Sequence, residues 1–244
     1  MKWLKPPIFL ACFLPLVVLL LQGFSDQIDS APLLAKFGLD PDLGANPIQR
    51  ITFTTGDWTL IFLCITLAIT PLRKLTGQPW LIKFRRMFGL FAFFYVCLHF
   101  SIYWIDLYYG AKLINHSLDL AGVFHDVAKR PFVTAGFTAF ILLVPLALTS
   151  TSGWIRRLGG KRWQLLHRLI YVSAIAAVVH FWWQVKSDIR KPLLYAVIVG
   201  ALLLYRIVVY WRARKKNAHS TGGPQRPISS PRPVLAVSDR VKMQ

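Results

Sequence analysis

Several continuous apolar stretches, each close to the roughly 20 residues that cross a bilayer as a helix, constrain this chain more than any other feature. A lipid-embedded backbone must satisfy its own hydrogen bonds, so only helices and closed barrels span a membrane. A barrel needs alternating segments of about 10 residues. The runs here are continuous, which leaves an all-α, polytopic membrane bundle of about six transmembrane helices. The spans read from sequence are 8–24, 56–72, 87–109, 132–152, 164–185 and 192–211, with ends good to a few residues. Composition agrees: 55% of the 244 residues are hydrophobic.

A net charge of +19 would suit a nucleic-acid binder, but the basic residues cluster at the ends of the apolar runs, where they set topology. No nucleic-acid partner is expected; membrane lipid is. One face of the membrane would carry 19 basic residues and the other 8. The positive-inside rule then puts both termini in the cytoplasm. All ten acidic residues are Asp, and only Asp239 falls on the cytoplasmic face. The first segment follows a basic start (MKWLK) but lacks an A-x-A cleavage site, so a retained helix is favoured over a signal peptide. Residues 25–55 read as a polar loop with room for a short amphipathic stretch, and the Pro-, Ser- and basic-rich tail after Trp211 as disordered. Pro145 is expected to kink the fourth helix, with Ser/Thr neighbours in LALTSTS meeting the freed carbonyl. Cys12, Cys64 and Cys97 form no C-x-x-C and read as packing residues.

Three histidines lie inside these runs: His99, His167 and His180. Ionisable groups in a bilayer core are costly and mark functional sites, and imidazole is the usual haem-iron ligand. His99 and His180 fall at similar depth in the third and fifth helices, so their rings can meet across one iron. The alternative is a structural hydrogen bond to a neighbouring helix. His167 lies 13 residues before His180, about 20 Å of rise and about 140° around an ideal helix, so a bend or an offset second site is needed to use both. His116 and His125 lie in the polar loop and His219 in the tail, where solvation suffices. Arg85, Arg86, Arg162 and Arg168 suit haem propionates, though topology and lipid contact explain them equally well. Trp104, Tyr103, Trp182 and Trp183 read as an interfacial aromatic belt.

The segments RRMFGLFAFFYVCLHFSIYWIDL, KRPFVTAG, LALTSTSGWIRRLGGKRWQLLHRLIYVSAIAAVVHFWW and ITPLRK resemble the bacterial MsrQ (YedZ) family, over roughly residues 45–210. The resemblance implies a ferric-reductase-like transmembrane domain that binds haem b and FMN. It implies an inner-membrane electron-transfer subunit, not itself the reductase. Its partners would be the quinone pool or a cytosolic flavin reductase as donor, and MsrP, a periplasmic molybdenum-containing methionine sulfoxide reductase, as acceptor. The family's ligands or candidate ligands match His99, His167 and His180. Two-haem relatives in the wider superfamily carry another histidine 14 residues before the one matching His99; here that position is Arg85. One complete haem site, His99 with His180, is therefore expected, and a second at His167 would be weaker or completed differently. The expected organisation is a first helix and periplasmic loop (1–44), a haem-binding domain (45–211) and a basic tail (212–244). No G-x-G-x-x-G in a βαβ context is present, so a separate electron donor is expected. Two other functions remain open on sequence: a membrane ferric reductase, and a cofactor-free transporter or scaffold.

Overall fold

A computed structural model describes residues 2–113, 128–185 and 187–220. Among these every regular element is helical. Among the described residues, six helical stretches are long and apolar enough to cross a membrane: Lys5–Gly23, Pro47–Thr76, Pro79–Tyr108, Pro131–Leu148, Gly160–Gln184 and Arg190–Lys215. They are called the first to sixth spans. The expected all-α, six-span membrane bundle is therefore the observed fold. The chain divides into two units, Met1–Arg206 and Ile207–Gln244.

Local chemistry sets the ends of the spans. The second begins nine residues earlier than its apolar run suggests, because Asn46 caps it by accepting from the Gln49 amide at 3.1 Å and Pro47 occupies the first turn. Its helix ends where Gly77 adopts φ 66°, the left-handed conformation that closes helices. The last helix runs from Arg190 past Trp211 to Ser220, so the stretch after Trp211 does not begin as disorder. Good helix formers and basic residues continue there, and basic residues favour a helix C-terminus. The sequence after residue 220 lies outside the described residues. Residues 25–55 contain two short helices, Ser25–Ile28 and Ala31–Lys36, before the second span starts.

Two helix pairs build the interior. The second span packs along the third, and the fourth along the fifth; the third also touches the fourth, and the second the fifth. Without a hydrophobic drive between helices in lipid, close packing depends on small residues and on buried polar bonds. Ala92, Ala174 and Ser173 are accordingly fully buried. Ser173 Oγ donates to the Ala139 carbonyl at 2.9 Å, tying the fifth span to the fourth. An aromatic cluster of Phe62, Phe91 and Tyr95 joins the second and third spans, and Phe13 of the first span packs edge-on against Phe91. Tyr95 is fully buried, and its hydroxyl donates to the Cys12 carbonyl at 2.9 Å, in the turn between the two halves of the first span. Cys12 and Cys64 are buried and Cys97 half-buried, all as free thiols. Large apolar side chains such as Val172, Ile175, Leu194 and Val197 point outward, as lipid-facing surfaces require.

Pro71 and Pro145 lie inside helices. Pro71 has no N–H to give the Leu67 carbonyl, and Arg206 Nη2 supplies that bond at 2.9 Å while Nη1 donates to the Tyr171 hydroxyl at 2.8 Å. Around Pro145 the neighbouring hydroxyls act differently from the sequence expectation. Thr149 and Ser150 donate to Pro145 and Leu146, their own carbonyls one turn back, and not to the Ile141 carbonyl that Pro145 leaves free.

Candidate functional site

Residues of the second to fifth spans, with Asp188 and Lys191 beside them, line a cavity of about 580 Å³, within the range of small-molecule and cofactor sites. Its walls are mostly apolar and aromatic, including Phe53, Leu60, Val96, Phe100, Phe140 and Phe181. His99 and His180 both line it. Their ring centroids are 6.0 Å apart and their planes are 81° apart.

The two imidazoles are held in the same way. His99 Nδ1 lies 2.9 Å from the Thr52 carbonyl, and His180 Nδ1 lies 2.6 Å from the Phe132 carbonyl. A carbonyl only accepts, so each Nδ1 carries the proton and each Nε2 keeps its lone pair. This orienting bond is the usual outer-shell support of a metal-bound histidine. In each case a glycine sits four residues after that carbonyl, one turn along the same helix. A Cβ at Gly56 would stand 3.2 Å from the His99 ring, and one at Gly136 would stand 2.7 Å from His180 Nδ1. The missing side chains let each ring lie against a helix backbone and reach its carbonyl. The segments are TFTTG (52–56) and FVTAG (132–136), the same short pattern on two spans.

The dimensions suit one metal between two rings. Imidazoles bound through Nε2 to opposite faces of one ion, with bonds of about 2.0 Å and about 1.1 Å from nitrogen to ring centre, have centroids about 6.2 Å apart. Among the described residues, no three His, Cys or Asp side chains converge as a bare-metal site. The arrangement thus offers two imidazoles with unprotonated Nε2 atoms in a largely apolar cavity, a donor set that would suit a haem.

His167 is elsewhere. The fifth span is interrupted at His167–Arg168, between the helices Gly160–Leu166 and Leu169–Gln184. Both residues keep right-handed helical dihedrals, and His167 lies outside the residues that line the cavity. His167 stacks on Trp163 with centroids 3.8 Å apart, and its Nδ1 lies 3.0 Å from the Trp163 carbonyl. Its Nε2 is buried without a partner. Arg85, half-buried, lies within electrostatic range of His167, Tyr171 and Arg206. Arg86, Arg162 and Arg168 are exposed at the same end. Arg85 and Arg86 lie 14 and 13 residues before His99, about 20 Å of helix rise, and neither they nor Arg162 and Arg168 line the His99–His180 cavity. His116 and His125 lie outside the described residues.

Sequence reasoning missed the two glycines, the two carbonyls they expose, and a charged pair at the cavity lining. Lys191 Nζ donates to Asp57 Oδ2 at 3.4 Å, and both residues line the cavity. The repeated TFTTG and FVTAG pattern was the available signal for the glycines. No local signal joined Lys191 to Asp57, which are 134 residues apart.

Comparison with known proteins converges on one family. The model of the ferric reductase like transmembrane component matches residues 55–178. A protein from Herminiimonas arsenicoxydans named as the protein-methionine-sulfoxide reductase heme-binding subunit MsrQ is 54% identical, over 75% of this chain and 82% of its own length. The protein of the same name from Ralstonia nicotianae is 47% identical over 78% and 84% of the two chains. That from Polaromonas naphthalenivorans is 44% identical over 90% and 93%.

Proposed function

This chain belongs to the MsrQ family of ferric-reductase-like membrane proteins, and from that premise we propose that it is a b-type cytochrome subunit that carries electrons to a methionine sulfoxide reductase. The observation that carries this reading is the His99–His180 pair, 6.0 Å apart, with both Nδ1 atoms tied to backbone carbonyls. Those two residues would hold the haem iron, and the group so held would supply single-electron transfer. The chain's own contribution is to fix the two tautomers, to keep water from the iron with the phenylalanine walls, and to tune potential through burial and the carbonyl bonds.

In this reading the protein lies in the inner membrane with both termini in the cytoplasm. Electrons come from the quinone pool or a cytosolic flavin reductase and leave to a periplasmic molybdenum-containing partner, MsrP, in support of repair of oxidised periplasmic proteins. FMN enters through the family resemblance. Any second haem belongs at His167, held more weakly, with Arg85, Arg86, Arg162 and Arg168 available to its carboxylates.

The test is electron delivery. Purified protein, reduced chemically under anaerobic conditions, should be fully reoxidised by catalytic amounts of the molybdenum reductase plus methionine sulfoxide, and not by methionine sulfoxide alone. The match to a ferric reductase model supports a second reading, direct reduction of Fe³⁺. Faster reoxidation by ferric chelates than by the reductase would favour it. Absence of a Soret band after expression with ample haem would leave a cofactor-free transporter or scaffold.

A further inference from the structure

A haem brings two carboxylates into any site that holds it, and the cavity around His99 and His180 is nearly devoid of cations. Apart from the histidines, its charged lining residues are Asp57, Asp188 and Lys191. Lys191 is thus the one cation among the described residues that line it. The arginines that the sequence offers as propionate partners belong to the other end of the spans. Arg85 and Arg86 are about 20 Å of helix rise from His99, and Arg168 is 12 residues, about 18 Å, from His180. A carboxylate on a two-methylene arm does not cross that distance.

Lys191 is well suited to the task. It lies in the first turn of the helix Arg190–Ser220, and its side chain is 68% exposed, so the ammonium can swing. Asp57, with a side chain 26% exposed, directly follows Gly56, the residue whose missing Cβ opens the Thr52 carbonyl to His99. The Asp57–Lys191 pair thus lines the same cavity as His99 and His180. Its 3.4 Å separation is longer than the 2.7–2.9 Å of a strong charge-assisted bond, leaving the ammonium free to take a second acceptor. An ammonium has three donors and can serve two carboxylates at once.

We propose that Lys191 anchors a carboxylate of the haem held between His99 and His180, with Asp57 as the counter-ion that positions its ammonium. The inference rests on the haem reading of the cavity. The test uses the full-length, haem-loaded protein with Lys191→Met, Lys191→Arg and Asp57→Asn. Three readouts are taken: the low-spin spectrum, the rate of haem transfer to excess apomyoglobin, and the midpoint potential.

Lys191→Met should keep the low-spin spectrum, lose haem about tenfold faster, as for one exposed charge-assisted bond, and shift the potential downward because a nearby cation disfavours the ferric state. Lys191→Arg should restore both values toward wild type. Asp57→Asn should shift the potential upward, and it carries the test if Lys191→Met does not accumulate. Wild-type transfer rate and potential in Lys191→Met at full low-spin content would overturn the anchor alone, as would an unmoved potential in Asp57→Asn. A protein without low-spin haem, or one that keeps it after His180→Ala, would overturn the reading of the cavity and the anchor with it.

Discussion

Gly136 lies against His180 so closely that a Cβ there would stand 2.7 Å from the ring Nδ1, the atom that bonds the Phe132 carbonyl one turn back on the same helix. The contact leaves no slack. Gly136→Ala should push the imidazole off its carbonyl and out of line with His99, at an overpacking cost of about 1–3 kcal/mol. The expected result is loss of low-spin haem from protein that still inserts and accumulates. Gly56→Ala, whose Cβ would meet His99 at 3.2 Å, should have the same effect in weaker form. Absorption spectra normalised to protein, with membrane yield as the folding control, check both.

Arg206 and Pro71 should behave as a coupled pair. Arg206 Nη2 takes the Leu67 carbonyl that Pro71 cannot serve. Arg206→Met should destabilise the protein by about 1–3 kcal/mol, through the orphaned carbonyl and the lost bond to Tyr171. Part of that cost should vanish in a Pro71→Ala background, where residue 71 regains an N–H for Leu67. Thermal unfolding in detergent across the double-mutant cycle reads the coupling; strictly additive effects would contradict it.

Tyr95→Phe removes the hydrogen bond from the buried centre of the third span to the Cys12 carbonyl in the turn of the first. The expected loss is about 1–2 kcal/mol. Limited proteolysis should show it first as faster cleavage in the segment after the first span, with the haem spectrum unchanged.

His167→Ala should leave the main low-spin signal intact, because His167 does not line the cavity that holds His99 and His180. If the variant loses haem, the loss should be confined to a second, more weakly held population, seen as a lower haem-to-protein ratio. Two bis-histidine spectra at a ratio of two in the wild type would contradict the single-site arrangement.

Legibility in the sequence followed length scale. The spans were readable because bilayer thickness imposes a long, unbroken apolar signal. Their ends shifted wherever a short-range cap outweighed hydropathy, as at Asn46–Pro47, which carries the second helix back to include Thr52. The meeting of His99 and His180 could be anticipated from depth, since both helices run the same way through the bundle. The orienting carbonyls could not, because backbone acceptors leave no mark of their own in a sequence; only the glycines that expose them do. Asp57 with Lys191, and Arg206 with Leu67, are long-range pairs that depend on how helices are rotated against each other, which hydropathy does not encode.

The most direct test of the His99–His180 site is electron paramagnetic resonance of the purified ferric protein, beside His99→Ala and His180→Ala. The wild type should show a low-spin haem signal of high anisotropy, as expected for imidazole planes close to perpendicular, and each substitution should abolish it. Survival of that low-spin signal in either variant would contradict the pairing of these two histidines on one iron.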